Sequence, residues 1–418
     1  MSAPTSSAPA ARATAAARAP HSPPIAVIDI GSNSIKTLVA RRAAAPTAHT
    51  AHKAAPPLPN QREHTHTKSG ADARCAGSPA TAAAPSAQIE ALFSRSINVR
   101  LSAGADWRDG RPTLAPEAME AALRATQELL RAAAPYSPRK IALIGTSALR
   151  DAANAAEFTA LVRAHTGHRI RILSGSEEAA LIGRGLLCDP ALQAHSHAYA
   201  FDLGGGSLEC LKLRGGQLSA ALSLPLGSVR LMARCVADPT APLAPTARAK
   251  IRAQVTQSFA ASGFALDLPE NAPLIGTGGL WFNVRAMLAA QHRASVPQFP
   301  EPLETPKATR KACTQTKGVD RAPPLPAARA NPAAPDAAAP HAELAPPWIT
   351  RAQISQILEQ AAALPLAGRL ALPGIAAARA DILPVALSTM LALLDFGQWP
   401  GLHHSAYNLR YGLAASLL

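Results

Sequence analysis

Apolar positions fall into two stretches built on the same pattern. Ile25 to Ile30 is a short continuous apolar run ending in Asp29-Ile30-Gly31, and Ser34 to Ala40 continues as an extended segment. Runs of this length around a polar turn predict a strand pair joined tightly. Ser94 to Ser102 predicts a third strand. The spacing of Met119, Leu123, Leu129 and Leu130, opened by Thr113 or Pro116, predicts a helix over Pro116–Ala133. It leads into a buried-type strand over Ile141–Gly145, and together they make a crossover unit. The pattern then restarts: Ala198 to Leu203 ends in Asp202-Leu203-Gly204, and strands Glu209–Leu213 and Gln217–Pro225 follow around Gly215-Gly216. A helix, a strand near Leu274 and another helix come later. Strand, Asp-x-Gly turn and strand, occurring twice, predict an α/β protein of two similar lobes whose turns face each other across a cleft.

Composition divides the chain further. Met1 to Pro24 is rich in Ala, Ser, Pro and Arg and has no acid; the blocks 42–87 and 297–347 are dense in Ala and Pro. Such segments bury too little apolar surface to offset the entropy of ordering, so a disordered leader (1–24) and two disordered inserts are expected. The rest divides into lobe I over 25–183, lobe II over 184–396, and a segment 397–418 expected to pack back on lobe I. With 418 residues, 48% of them hydrophobic, two cores are affordable. A net charge of +14 favours polyanionic partners, among which nucleic acid, anionic membrane, nucleotides and polyphosphate are not distinguished by charge. Five cysteines without a CxxC pair fit a reducing compartment, and a cytoplasmic location is expected. His49, His52, His64 and His66 sit in a Pro/Ala/Thr-rich stretch that cannot hold a metal geometry. The longest apolar candidate, Ile382 to Phe396, is broken by Pro384 and falls short of the roughly 20 residues a bilayer span requires.

The turns carry the chemistry. In Asp29-Ile30-Gly31-Ser32-Asn33-Ser34-Ile35-Lys36, Gly31 lets backbone amides approach an anion, and Ser32, Asn33 and Ser34 donate hydrogen bonds. Lys36 adds charge and Asp29 can hold a metal-bound water. The same residues also suit an ordinary turn. The second turn, Asp202-Leu203-Gly204-Gly205-Gly206-Ser207-Leu208-Glu209, is more specific, because three glycines leave nothing between the amides and a ligand. Acids beside a phosphate loop repel the ligand unless a divalent cation intervenes, so Asp202 and Glu209 imply Mg²⁺. Between the turns, Ser174 or Ser176 caps a helix, and Glu177 completes a capping box with Ser174. On a wheel of about 100° per residue, Glu178 shares a stripe with Leu181, Ile182 and Gly185. Desolvation there raises its pKa toward that of a usable base; the other reading is that both glutamates only favour the helix N-terminus.

These residues resemble the exopolyphosphatase and guanosine pentaphosphate phosphohydrolase (Ppx/GppA) family of the actin-like ATPase superfamily. The resemblance runs in order through Val27–Leu38, Gly145–Asn154, Ile172–Ile182, Phe201–Glu209, Gly227–Arg230, Ile275–Gly279, Arg379–Ile382 and Asn408–Gly412. It implies two ribonuclease-H-like lobes with an interlobe cleft, and phosphate cradled by Asp29 to Asn33 and Asp202 to Ser207. It also implies a catalytic Glu178, with the catalytic acids Asp202 and Glu209 associated with magnesium and water. The substrate expected is polyphosphate or the guanine alarmone pppGpp; no specific nucleic acid and no membrane partner are expected, and a homodimer is left open. Arg150 is read either as a phosphate contact or as part of a structural ion pair. Gly276-Thr277-Gly278-Gly279 resembles the superfamily's adenosine-side loop and either accepts a guanine nucleotide or starts a helix, since Leu280-Trp281-Phe282 is bulky for that place. His403-His404 is followed by Ser405, so the family's His-Asp helical domain is not expected, and Leu208 stands where a threonine is usual. Rival readings are a superfamily kinase and a nucleotide or alarmone sensor without turnover.

Overall fold

The computed structural model describes residues 22–43, 88–102, 106–108, 111–295 and 344–418, so almost all of the expected leader and inserts lies outside the described residues. The first half runs β1 (Ile25–Ile30), β2 (Ser34–Arg42), β3 (Ile89–Asn98), a small hairpin of β4 (Asp106–Arg108) and β5 (Arg111–Thr113), then α1 (Pro116–Ala133). It continues with β6 (Lys140–Gly145), α2 (Ser147–Asp151), α3 (Ala155–Thr166), β7 (Ile170–Ile172) and α4 (Gly175–Leu186). The second half begins with β8 (His197–Leu203), β9 (Leu208–Arg214), β10 (Gln217–Leu224), α5 (Ser228–Cys235), α6 (Pro245–Ala261), β11 (Leu274–Thr277) and α7 (Gly279–Ser295). It ends with β12 (Trp348–Thr350), α8 (Arg351–Ala362), α9 (Leu366–Leu370), α10 (Leu383–Phe396), β13 (Gly401–Ser405) and α11 (Leu409–Leu417).

The strand orders are β3-β2-β1-β6-β7 and β10-β9-β8-β11-β13-β12. In both sheets three antiparallel strands lead into two parallel ones; β12 adds an antiparallel edge to the second. The predicted repeat is therefore the fold. Register pairs Asp29 with Lys36 in the first hairpin and Asp202 with Glu209 in the second, which sets each pair of polar side chains at the mouth of its turn.

The third strand runs from Ile89 rather than Ser94 and ends at Asn98 rather than Ser102. It stops there because the amides of Val99 and Arg100 both donate to the Asn33 carbonyl, at 3.1 and 3.0 Å, and Arg100 turns through φ +50°. The chain thus leaves the sheet to brace the first turn.

Two helices are exchanged between the halves. Helix α4, which ends the first repeat, packs on β9 and β10 of the second sheet, while α11 packs on β1 and β2 of the first. The two helices also cross each other closely. A methyl group on Gly185 would run into the Asn408 carbonyl, and one on Gly412 into the carbonyl of Leu181, so both positions require glycine. A buried cluster including Val27, Leu38, Ile182, Leu186, Leu211 and Leu413 joins both sheets through this helix pair. Residues 397–418 accordingly give a strand to the second sheet and a helix to the first. Separate cores back the outer faces, one including Leu129 and Phe158 and the other Phe201, Phe259 and Trp281. Ion pairs tie the lobes: Arg100 donates in parallel to both oxygens of the buried Asp381 carboxylate, at 2.6 and 2.7 Å, and Arg230 pairs with Asp151. No helix among the described residues is long and apolar enough to cross a membrane.

Candidate active site

Both Asp-x-Gly turns open into one cleft between the sheets. The turns close alike: the Gly31 amide donates to the Ser34 carbonyl at 3.2 Å, and the Gly204 amide to that of Ser207 at 3.0 Å. They also touch. A Cβ on Gly205 would lie 3.0 Å from that of Ser32, and one on Gly206 would strike the Ser147 hydroxyl, which itself sits 3.1 Å from the hydroxyl of Ser32.

The start of α5 holds the second turn in orientation. The Gly204 carbonyl accepts from the Ser228 amide, that of Gly205 from the amides of Val229 and Arg230, and that of Gly206 from Arg230 Nε at 2.8 Å. Because C=O and N–H point to opposite edges of a planar trans peptide, the amides of Gly205, Gly206 and Ser207 face away from α5. This is the arrangement an anion cradle requires.

Glu178 enters from the first turn of α4. The capping box between Ser174 and Glu177 is formed in both directions, which fixes where the helix starts and hence where Glu178 projects. Its side chain is buried, on a helix face shared with the buried Ile182 and Gly185 of the predicted stripe. Burial pushes its pKa up to about 7, against the Arg150 guanidinium 2.8 Å away, and the nearby Asp29 and Asp202 push in the same direction as burial.

The other acids are under the same pressure. Burial raises the pKa of Asp29, with Lys36 and Arg410 opposing. Burial pushes Asp202 up to about 6, offset chiefly by Lys36. Glu209 is raised by burial and then by the Glu178 and Asp202 charges, while its Oε1 accepts from Ser223 at 2.7 Å. Lys36 is lowered by burial and held up by Asp29.

Four carboxylates share this wall, and Oδ1 of Asp29 is buried without a hydrogen-bond partner. Oxygen donors crowded in this way suit a hard divalent cation. Among the described residues no three Asp, Glu, His or Cys side chains are grouped so that they could hold a metal ion by themselves. Leu208 lies buried in the second lobe's core, on the opposite face of its strand from Glu209.

Of the residues singled out in the sequence, Asp29, Gly31, Ser32, Asn33, Ser34, Lys36, Glu178, Asp202, Gly204, Gly205, Ser207, Glu209, Gly278 and Gly279 line the cleft. Gly206 is wedged beneath Ser147 and Ser32. Arg150 binds Glu178 and the Leu173 carbonyl rather than lining the cleft. Gly276 packs on Trp281, and Thr277 donates to the Tyr407 carbonyl at 2.8 Å, so only the second half of that loop faces the site. Gly278 has φ +96° and leans on the Asp202 carboxylate, which leaves no room for a side chain. Thr146, Ser147, Ser228, Arg379, Asn408 and Arg410 also line the cleft and were given no role from the sequence. Arg379 and Arg410 fall in segments that carry the family resemblance, but isolated arginines spell no chemical motif.

The paired sheet orders and the cleft between them define a two-lobed actin-like ATPase fold. It is shared with an exopolyphosphatase from Cytophaga hutchinsonii, at a TM-score of 0.65 and 18% identity over 94% of this chain and 97% of that one. It is shared too with the Ppx/GppA enzyme of Aquifex aeolicus, at a TM-score of 0.58 and 16% identity over 95% and 100% of the two chains. Residues 81–271 match the Ppx/GppA phosphatase family. Over that segment the chain is similar to a phosphatase family.

Proposed function

We propose that this chain hydrolyses the terminal phosphoanhydride of inorganic polyphosphate or guanosine pentaphosphate, with Glu178 as general base toward the attacking water. The observation that carries this reading is convergence: two amide-rich turns and the Glu178 carboxylate open on one cleft. The amides and hydroxyls of the two turns hold the phosphates, and Lys36 offsets part of their charge. Phosphoryl transfer asks mainly for alignment and charge stabilisation, which such a cradle supplies. Arg150 holds one oxygen of Glu178, leaving the other to receive the proton from water. A pKa of about 7 suits that task near neutral pH. Asp29, Asp202 and Glu209, with the phosphate and water completing the set, would hold a Mg²⁺ ion, which would supply charge neutralisation to the phosphate.

Phosphate release measured side by side on polyphosphate, pppGpp and ATP, with and without Mg²⁺, tests the reading. Mg²⁺-dependent release from polyphosphate, pppGpp or both, well above that from ATP, is expected. No release from either in the presence of Mg²⁺ overturns it.

A further inference from the structure

Arg410 lies in the first turn of α11 and lines the cleft, although it is far in sequence from both Asp-x-Gly turns. Its Nη1 donates to the Thr37 carbonyl at 2.9 Å and to the Ser94 hydroxyl at 3.1 Å, so β2 and β3 aim the guanidinium. Among the described residues, Nε and Nη2 find no protein acceptor. Asp29 and Asp202 are near enough to favour its charge, and Lys36 near enough to be disfavoured by it. Lys36 and Arg410 are therefore held near each other, despite mutual repulsion, among the residues lining the cleft, and Arg410 has donors unspent.

Helix α11 is also fixed relative to the base. The close crossing at Gly185 and Gly412 leaves no slack between the helix that carries Glu178 and the helix that carries Arg410. A phosphate held by Arg410 is thus presented at a set spacing from the Glu178 carboxylate. A planar fork of N–H donors matches two phosphate oxygens at once, which a lysine cannot do.

We propose that Arg410 is a phosphate-contacting residue of this site, gripping the phosphate chain from the side of α11 while Glu178 acts from α4. The inference rests on the phosphohydrolase reading and adds a substrate contact that neither turn contains. The competing explanation is that Arg410 only anchors α11 and offsets the two aspartates.

Calorimetric titration of inorganic tripolyphosphate with Mg²⁺ into the full-length protein separates the two, in a Glu178→Gln background that prevents turnover. Adding Arg410→Gln is expected to weaken binding by about 10- to 100-fold, the worth of a charge-assisted phosphate contact. Ser94→Ala removes one anchor of Arg410 but no charge, and is expected to leave affinity within about threefold. Binding by Arg410→Gln as tight as in the Glu178→Gln parent overturns the inference, as does an equal loss in Ser94→Ala. If Arg410→Gln gives no cooperative melting transition, Arg410→Lys decides: about 3- to 10-fold weaker binding is expected, and parental affinity overturns the inference. A parent that binds no tripolyphosphate fails the phosphohydrolase reading itself, and this inference with it.

Discussion

Glu178 is caught between burial, which favours its protonated form, and Arg150, which favours the carboxylate. As a base it works only when ionised, so kcat/KM on polyphosphate or pppGpp should rise with pH through about 7 before any higher limb appears. Glu178→Gln should cost about 10²- to 10⁴-fold in turnover while tripolyphosphate binding persists. The same shift links to stability. The folded state holds the Glu178 proton up to about 7 and the unfolded chain only to its ordinary 4.5, so this contribution is complete below 4.5 and is lost as pH rises to about 7. Glutamine cannot ionise. The melting temperature of Glu178→Gln should therefore gain on the wild type across that window, and a difference that stays flat from pH 4.5 to 8 would count against the burial account. This residue could be read from the sequence because its surroundings are local: a capping box and an apolar stripe lie within two turns of it. Arg410 could not, because its surroundings are supplied by strands from the other end of the chain.

Elements set by local signals are legible in the sequence, and elements set by distant contacts are not. Helix α1 was predicted over its observed span, since Pro116 sets its start and its apolar spacing is helical. The third strand was misplaced because its end depends on the Asn33 carbonyl of a distant turn. Strand β13 escaped notice for a related reason: Gly401-Leu402-His403-His404-Ser405 does not look like a buried strand, yet all five residues are buried between β11 and β12. The glycines at the α4 and α11 crossing were also illegible, because a helical glycine shows its use only when its neighbour is known. Gly412→Ala tests that use directly. The added methyl has to displace the Leu181 carbonyl, so urea titration should show a loss of about 1–3 kcal/mol, the range for overpacking a close contact. Stability equal to wild type would mean the helices can separate without penalty.

Across the whole molecule, the internal repeat made the architecture visible, since one strand-turn-strand unit occurring twice already implies two facing lobes. The positive charge points toward polyanions without choosing among them. What no repeat could reveal is that each half lends its last helix to its neighbour. Each polypeptide half is therefore incomplete by itself: residues 1–195 carry α4 without the sheet it covers, and residues 196–418 carry α11 in the same predicament. Produced singly, either piece should aggregate with an apolar face in water. Produced together in one cell, they should co-purify as an equimolar, active pair, the severed chain reassembling through the two borrowed helices.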